Sequence, residues 1–161
     1  MGASRHTRAR AADQQRKELL VSWLEKLRDL VRKPGEAVLD PDAPGLRTVV
    51  SAFDPAVADS AVLADSPGWA SEAPAVLVHH LVLPADRIEE AAAILAQDGY
   101  DLREQSRDGD RVLAHARRVQ VLDALHCAQE RSRMAGLAQR LGGDAPGWEA
   151  RQPGDSPTAS A

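Results

Sequence analysis

The stretch AVLVHHLVL, from Ala75 to Leu83, is the part of this sequence that decides the fold. Its β-branched and leucine residues form a run that Pro84 closes, which predicts a strand. The run is almost continuously apolar, so this strand is expected at the centre of a sheet, buried on at least one face. His79 and His80 are adjacent in it, and their side chains must therefore point to opposite faces.

The residues after this strand alternate between helix and strand patterns. Asp86 is placed to cap a helix, with Glu89 three residues later, and Gly99 is a natural helix end. Asp108-Gly109 is a strong hairpin motif. The predicted elements are a helix lined by Ile88, Ala91, Ala92 and Leu95, strands at Tyr100 to Glu104 and Arg111 to Arg117, a helix from Val119 to Leu141 carrying Leu122, Leu125, Leu137 and Leu141, and a closing strand at Ala145 to Arg151.

The predicted order β-α-β-β-α-β places the chain in the α+β class. Four short strands form an antiparallel sheet, and two helices pack on one of its faces and leave the other face open. This is the ferredoxin-like split βαβ arrangement. Because the chain has one Phe and one Tyr, Trp148 is expected to fill the core.

An amphipathic helix is predicted ahead of this domain, over residues 14–33. Pro34-Gly35 ends it. Its apolar face packs on its own domain or, where it is not buried in that way, contacts a protein partner. The candidate partner-binding residues are Leu20, Trp23, Leu24 and Leu27.

The charge of the chain is zoned. Residues 1–33 carry nine Lys or Arg against four acids, and residues 34–75 carry seven acids against one Arg47. The zoning predicts a disordered basic arm at 1–13, the helix at 14–33, an acidic Pro-rich linker at 34–74 with one short element at Thr48 to Phe53, the ferredoxin-like domain at 75–152 and a disordered tail at 153–161.

Composition excludes several classes of protein. The net charge of −4 opposes bulk binding of nucleic acid, and the basic arm lacks interleaved aromatic residues, so no direct nucleic-acid binding is expected. The single Cys127 cannot form an internal disulfide, and no apolar run approaches the ~20 residues that span a bilayer. Met1 to Arg10 lacks the apolar segment of a signal peptide. A cytoplasmic protein with no membrane contact is expected.

No motif predicts catalysis, a cofactor or a metal site. The spacings typical of zinc ligands and of nucleophile or phosphate loops do not occur in the sequence. His79 and His80 point to opposite faces, so one is expected under a helix with a satisfied ring nitrogen and the other on the open face. Cys127 diverges by about 100° from His126 on a helix, which favours a buried, inert thiol.

The order and spacing of several short motifs resemble the ribonuclease E inhibitor family, also called regulator of ribonuclease activity B. The motifs are His79-His80-Leu81, Ala91 to Ala93, Gly99-Tyr100, Asp108-Gly109-Asp110, Leu122-Asp123-Ala124, Met134 with Leu137-Ala138, and Gly147-Trp148, over about residues 75–151. The resemblance implies a ferredoxin-like bacterial protein without catalytic activity. Such a protein binds an endoribonuclease of the ribonuclease E type and slows RNA decay. A monomer is favoured.

Two enzyme or ligand-binding alternatives share part of this pattern. His80 followed by Asp86 and an alanine-rich helix also resembles the start of a metal-dependent vicinal-oxygen-chelate module, which needs the order βαβββ and usually a second copy. A dimeric α/β barrel shares the predicted element order and pairs its sheet faces. Its oligomeric state and an enclosed cavity distinguish it.

Overall fold

The predicted strand at Ala75 to Leu83 is the central strand of a five-stranded antiparallel sheet. The computed structural model describes residues 39–154. Two strands flank the centre on each side, in the spatial order β1-β5-β2-β4-β3. The strands are β1 (Leu46–Ala52), β2 (Ala75–Pro84), β3 (Asp101–Asp108), β4 (Arg111–Gln120) and β5 (Asp144–Pro153).

Three helices lie between the strands: α1 (Asp59–Ala64), α2 (Ile88–Ala96) and α3 (Ala124–Arg140). A short 3-10 turn, Ala85–Arg87, precedes α2, so Arg87 and not Asp86 is the N-cap residue, and no side chain caps this end. The predicted second helix begins too early at Val119, because β4 continues to Gln120. Asp123 caps α3 by accepting a hydrogen bond from the His126 backbone N–H at 2.9 Å. A helix therefore lies between β4 and β5, where a vicinal-oxygen-chelate module has a strand.

The acidic region 34–74 is not an irregular linker over its described part. It contributes β1, which lies where a short element was predicted at Thr48 to Phe53 and pairs with β5. It also contributes α1, which packs on the same sheet face as the other helices. Val50, Ala52 and Leu63 from this region are buried. The physical reason is that β5 would otherwise leave an unpaired edge, and the alternating apolar residues of β1 extend the core over that edge.

Two clusters of buried side chains form the core on the helix side of the sheet. One joins α2 and the second half of α3 to Leu81 and Leu83. The other surrounds Trp148, which is fully buried as expected, and includes Leu77 and Cys127. Leu125 departs from the predicted apolar stripe of the second helix, because it is 64% exposed.

Several predictions concern residues outside the described range. These are the arm at 1–13, the helix at 14–33 with Leu20, Trp23, Leu24 and Leu27, and the tail from residue 155. Pro153, expected in the tail, is instead the last residue of β5. None of the helices between residues 39 and 154 is long and apolar enough to cross a membrane.

Candidate functional site

The side of the sheet away from the described helices, here called the distal face, carries a pair of histidines. β2 and β4 align His80 with His115, and their ring centroids lie 4.2 Å apart. Glu149 on β5 places a carboxylate oxygen 3.7 Å from Nε2 of His80, and the ring of Phe53 meets His80 edge-on. The predicted placement of one histidine on each face is thus correct, and His80 is the one on the distal face.

Burial controls the protonation of this pair. It lowers the pKa of His115 to about 4, and the neighbouring His80 adds to the effect. Burial also lowers the pKa of His80, although the Glu149 carboxylate opposes the change. Both rings are therefore neutral at neutral pH. The sequence predicted that this face is open. At its centre, however, Val76 and Val78 are buried.

Arg117 connects the distal face to the segment that precedes β1. Its guanidinium group contacts Asp42 and Asp101, each at 2.7 Å, and the Arg117 side chain is only 10% exposed. The hydrogen bond from Arg117 lowers the pKa of Asp42 below its usual value. The depression beside this contact, about 430 Å³, is lined mostly by polar side chains that include Thr48 and Arg151. The contact fixes the chain entry to β1.

His79, which precedes His80 in the sequence, lies on the opposite face of the sheet, under α3 in the core. Its ring meets Tyr100 edge-on at 5.9 Å, and burial lowers its pKa to about 4. Nε2 of His79 is buried with no hydrogen-bond partner in the described part of the chain, so the expected satisfied ring nitrogen is not found there. Next to it, the Tyr100 hydroxyl and Arg118 both donate to Glu130 at 2.9 Å. This cluster joins α3 to the sheet.

A surface groove lies between residues 55–60 and the first turns of α3. We call it the Val57–Leu125 groove, and its volume is about 540 Å³. Val57 is 39% and Leu125 is 64% exposed, and Ala128 continues the apolar lining along α3. At its base, Arg131 contacts the buried carboxylate of Asp59 at 3.0 Å.

The sequence contains the information that places Leu125 on the outer side of α3, although it does not show that residues 55–60 lie beside it. Once Asp123 is recognised as the N-cap, the buried stripe of α3 runs through Cys127, Met134 and Ala138. Leu125 lies two residues before Cys127, about 200° around the helix, and must face outward. Because the sequence predicted that this helix begins at Val119, Leu125 was instead expected among its apolar residues.

The described residues offer little for catalysis or metal binding. Cys127 is fully buried, and burial raises the pKa of its thiol to about 12. His126 is exposed and pairs with Asp123, so it is separated from Cys127 as predicted. No group of three or more potential metal ligands occurs between residues 39 and 154.

The described domain is acidic. Residues 39–154 contain 18 Asp or Glu and 11 Arg, with no Lys, which gives a formal net charge of −7. The whole chain has a net charge of −4, so the residues outside 39–154 carry a net charge of +3. A surface of this sign favours basic partners.

Comparison with known proteins identifies the family. The family model described as Regulator of ribonuclease activity B matches residues 64–150. This is more than half of the chain, and it includes α2, α3 and the central strands of the sheet. Searches of curated proteins and of solved structures gave no match. The resemblance noted over residues 75–151 is confirmed, and the chain belongs to the Regulator of ribonuclease activity B family.

Proposed function

We propose that this protein binds an endoribonuclease of the ribonuclease E type and slows RNA decay by covering part of the enzyme's surface. The observation that carries the proposal is the family match over residues 64–150. The proposal makes the protein a non-catalytic regulator that acts as a monomer in the bacterial cytoplasm. We further propose that the strands and helices from β2 to β5 have the ferredoxin-like arrangement.

The charge of the domain supports a partner of this kind. An endoribonuclease must present basic surface to hold the phosphate backbone of RNA. The described residues of the present chain have a net charge of −7 and no Lys. Complementary charge of this sort raises association rates and selects partners. An acidic regulator can therefore occupy a basic surface from which RNA is then excluded.

The test is a cleavage assay with purified components. Full-length protein is titrated into purified ribonuclease E acting on a fluorescent RNA, and binding to the enzyme is measured separately by biolayer interferometry. We expect cleavage to slow, with half-maximal inhibition at a protein concentration close to the Kd. We expect both inhibition and binding to weaken as the salt concentration increases. An unrelated endoribonuclease on the same RNA serves as the control.

Two results would contradict the proposal. The first is wild-type protein that does not bind the enzyme or change its rate. The second is inhibition of both nucleases together with binding to the RNA alone, which would identify sequestration of substrate.

A further inference from the structure

We propose that the Val57–Leu125 groove binds a short segment of a protein partner, in which leucine-sized apolar side chains lie beside Arg or Lys. The inference rests on the proposed function for the identity of that partner, and on the groove itself for its chemistry. Val57 from residues 55–60 and Leu125 from α3 both line the groove.

The apolar walls indicate what the groove accepts. Leu125 is the most exposed large apolar side chain among residues 39–154, and Val57 is also exposed. The groove volume of about 540 Å³ lies within the range of sites that bind small molecules or a few side chains. Covering Leu125 and Val57 removes apolar surface from water, which favours an apolar insert.

The base of the groove is held in place before any partner binds. Arg131 on α3 donates to Asp59 Oδ1 and to the Asp54 carbonyl, each at 3.0 Å. The same Asp59 oxygen accepts the indole N–H of the buried Trp148 at 2.9 Å. These bonds join residues 54–59 to α3 and to the core. Because these bonds already order the groove, little of its conformational entropy is lost when a short segment binds.

Charge decides which segment fits. Asp59 compensates Arg131 at the base, whereas the carboxylate of the exposed Asp54, next to Pro55 of the lining, accepts from the Ala56 backbone N–H and pairs with no cationic side chain between residues 39 and 154. The nearest uncompensated charge is therefore negative, which favours a basic flank on the partner. A second copy of this domain, with a net charge of −7 over its described residues, would be repelled.

The test uses NMR titration of the ¹⁵N-labelled full chain with two synthetic capped peptides. Both contain two Leu residues, flanked by Arg in one peptide and by Glu in the other. We expect the Arg peptide to give saturable shifts at Val57, Leu125 and Ala128, and the Glu peptide to bind at least about tenfold more weakly. Leu125→Ser should lower the affinity of the protein for the Arg peptide by at least about tenfold.

Control variants separate the groove from general surface effects. Val121 is 50% exposed but does not line the groove, so Val121→Ser should change the affinity by less than about twofold. Asp54→Asn keeps the acceptor for the Ala56 backbone N–H and should weaken binding of the Arg peptide. Equal binding of both peptides, or shifts that Leu125→Ser leaves unchanged, would overturn the inference.

The same variants separate this inference from the proposed function. If wild-type protein and Leu125→Ser bind ribonuclease E equally well, the groove is not the docking site although the proposed function stands. If neither binds the enzyme, the proposed function fails, and the peptide titration still decides the chemistry of the groove. A dimer in analytical ultracentrifugation that Leu125→Ser dissociates would assign the groove to a second copy and overturn the proposal.

Discussion

The imidazole rings of His80 and His115 lie 4.2 Å apart on the distal face, on neighbouring strands. Two rings at this distance cannot both carry a proton without strong repulsion. Together with the buried His79 they form a set of histidines that the native fold keeps neutral, with the pKa of His79 and of His115 lowered to about 4. The cause in each case is mainly burial.

This arrangement predicts that stability falls as the pH is lowered from about 6.5 toward 4. In the unfolded chain these histidines bind protons near pH 6.5, whereas the native His79 and His115 do so only near pH 4. The unfolded state therefore binds more protons in this window, and the free energy of unfolding rises with pH. Urea denaturation at pH 7, 6, 5 and 4.5 measures the slope.

His115→Gln is the matched variant for this prediction. It removes one titrating group from the distal face and should flatten the slope between pH 6.5 and pH 4.5. A wild-type free energy of unfolding that is constant over this range would contradict the prediction.

Glu130→Gln should destabilise the domain by about 2 kcal/mol. The Glu130 side chain is 13% exposed and accepts hydrogen bonds from Tyr100 and Arg118. Burial raises its pKa, but these hydrogen bonds outweigh burial, so the pKa is lower than usual. The substitution leaves Arg118 half-buried without its counter-ion. Urea denaturation at pH 7 measures the loss.

An exposed ion pair gives the comparison for Glu130. Arg87 and Glu90 lie three residues apart at the start of α2, and each side chain is 50% exposed. Water screens such a pair, so Glu90→Gln should change the free energy of unfolding by less than about 0.5 kcal/mol. Equal losses of stability in Glu130→Gln and Glu90→Gln would show that the contacts of Glu130 contribute no more to the free energy of unfolding than a surface ion pair.

The local sequence was sufficient where neighbouring residues determine the structure. The run from Ala75 to Leu83 predicted the central strand, because its composition alone requires burial on the sheet. Asp108-Gly109 predicted the hairpin between β3 and β4, where Gly109 has the positive φ of 58° that the turn requires. The boundary of α3 was less accurate, since the N-cap Asp123 decides it and a strand pattern continues to Gln120.

The rest depends on contacts between residues distant in the sequence. β1 and α1 lie in an acidic, Pro-rich region, where the sequence predicted only one short element, at Thr48 to Phe53. The partner strand of β1, which is β5, and the packing of α1 near Trp148 are contacts that no local pattern specifies. The meeting of His80 with His115 follows from the register of β2 and β4, which no local pattern specifies. The Val57–Leu125 groove likewise joins residues that are far apart in the chain.

Trp23→Asp tests the candidate partner-binding residues Leu20, Trp23, Leu24 and Leu27. We predict that the substitution weakens binding to ribonuclease E by about tenfold or more, since tryptophan is enriched among interface hot spots. The melting temperature should change little. Binding is measured by biolayer interferometry and unfolding by circular dichroism. A large fall in melting temperature would instead show that this apolar stripe is part of the protein's own core.

Gly147→Ala should destabilise the domain by about 1–3 kcal/mol. A Cβ at this position of β5 would lie 2.5 Å from the Ala52 carbonyl oxygen and 2.9 Å from Cα of Phe53. Neither backbone atom can move aside without displacing the end of β1, so the pairing of β1 with β5 must loosen there.

The same substitution at Gly136 should act in the opposite direction. Gly136 lies inside α3, and an added Cβ meets no atom within 4 Å. Alanine favours the helix over glycine by about 0.5–1 kcal/mol, so Gly136→Ala should raise the melting temperature. Thermal unfolding of the two variants followed by circular dichroism checks both signs. A Gly147→Ala protein as stable as the wild type would show that β1 is not held against β5 at this point.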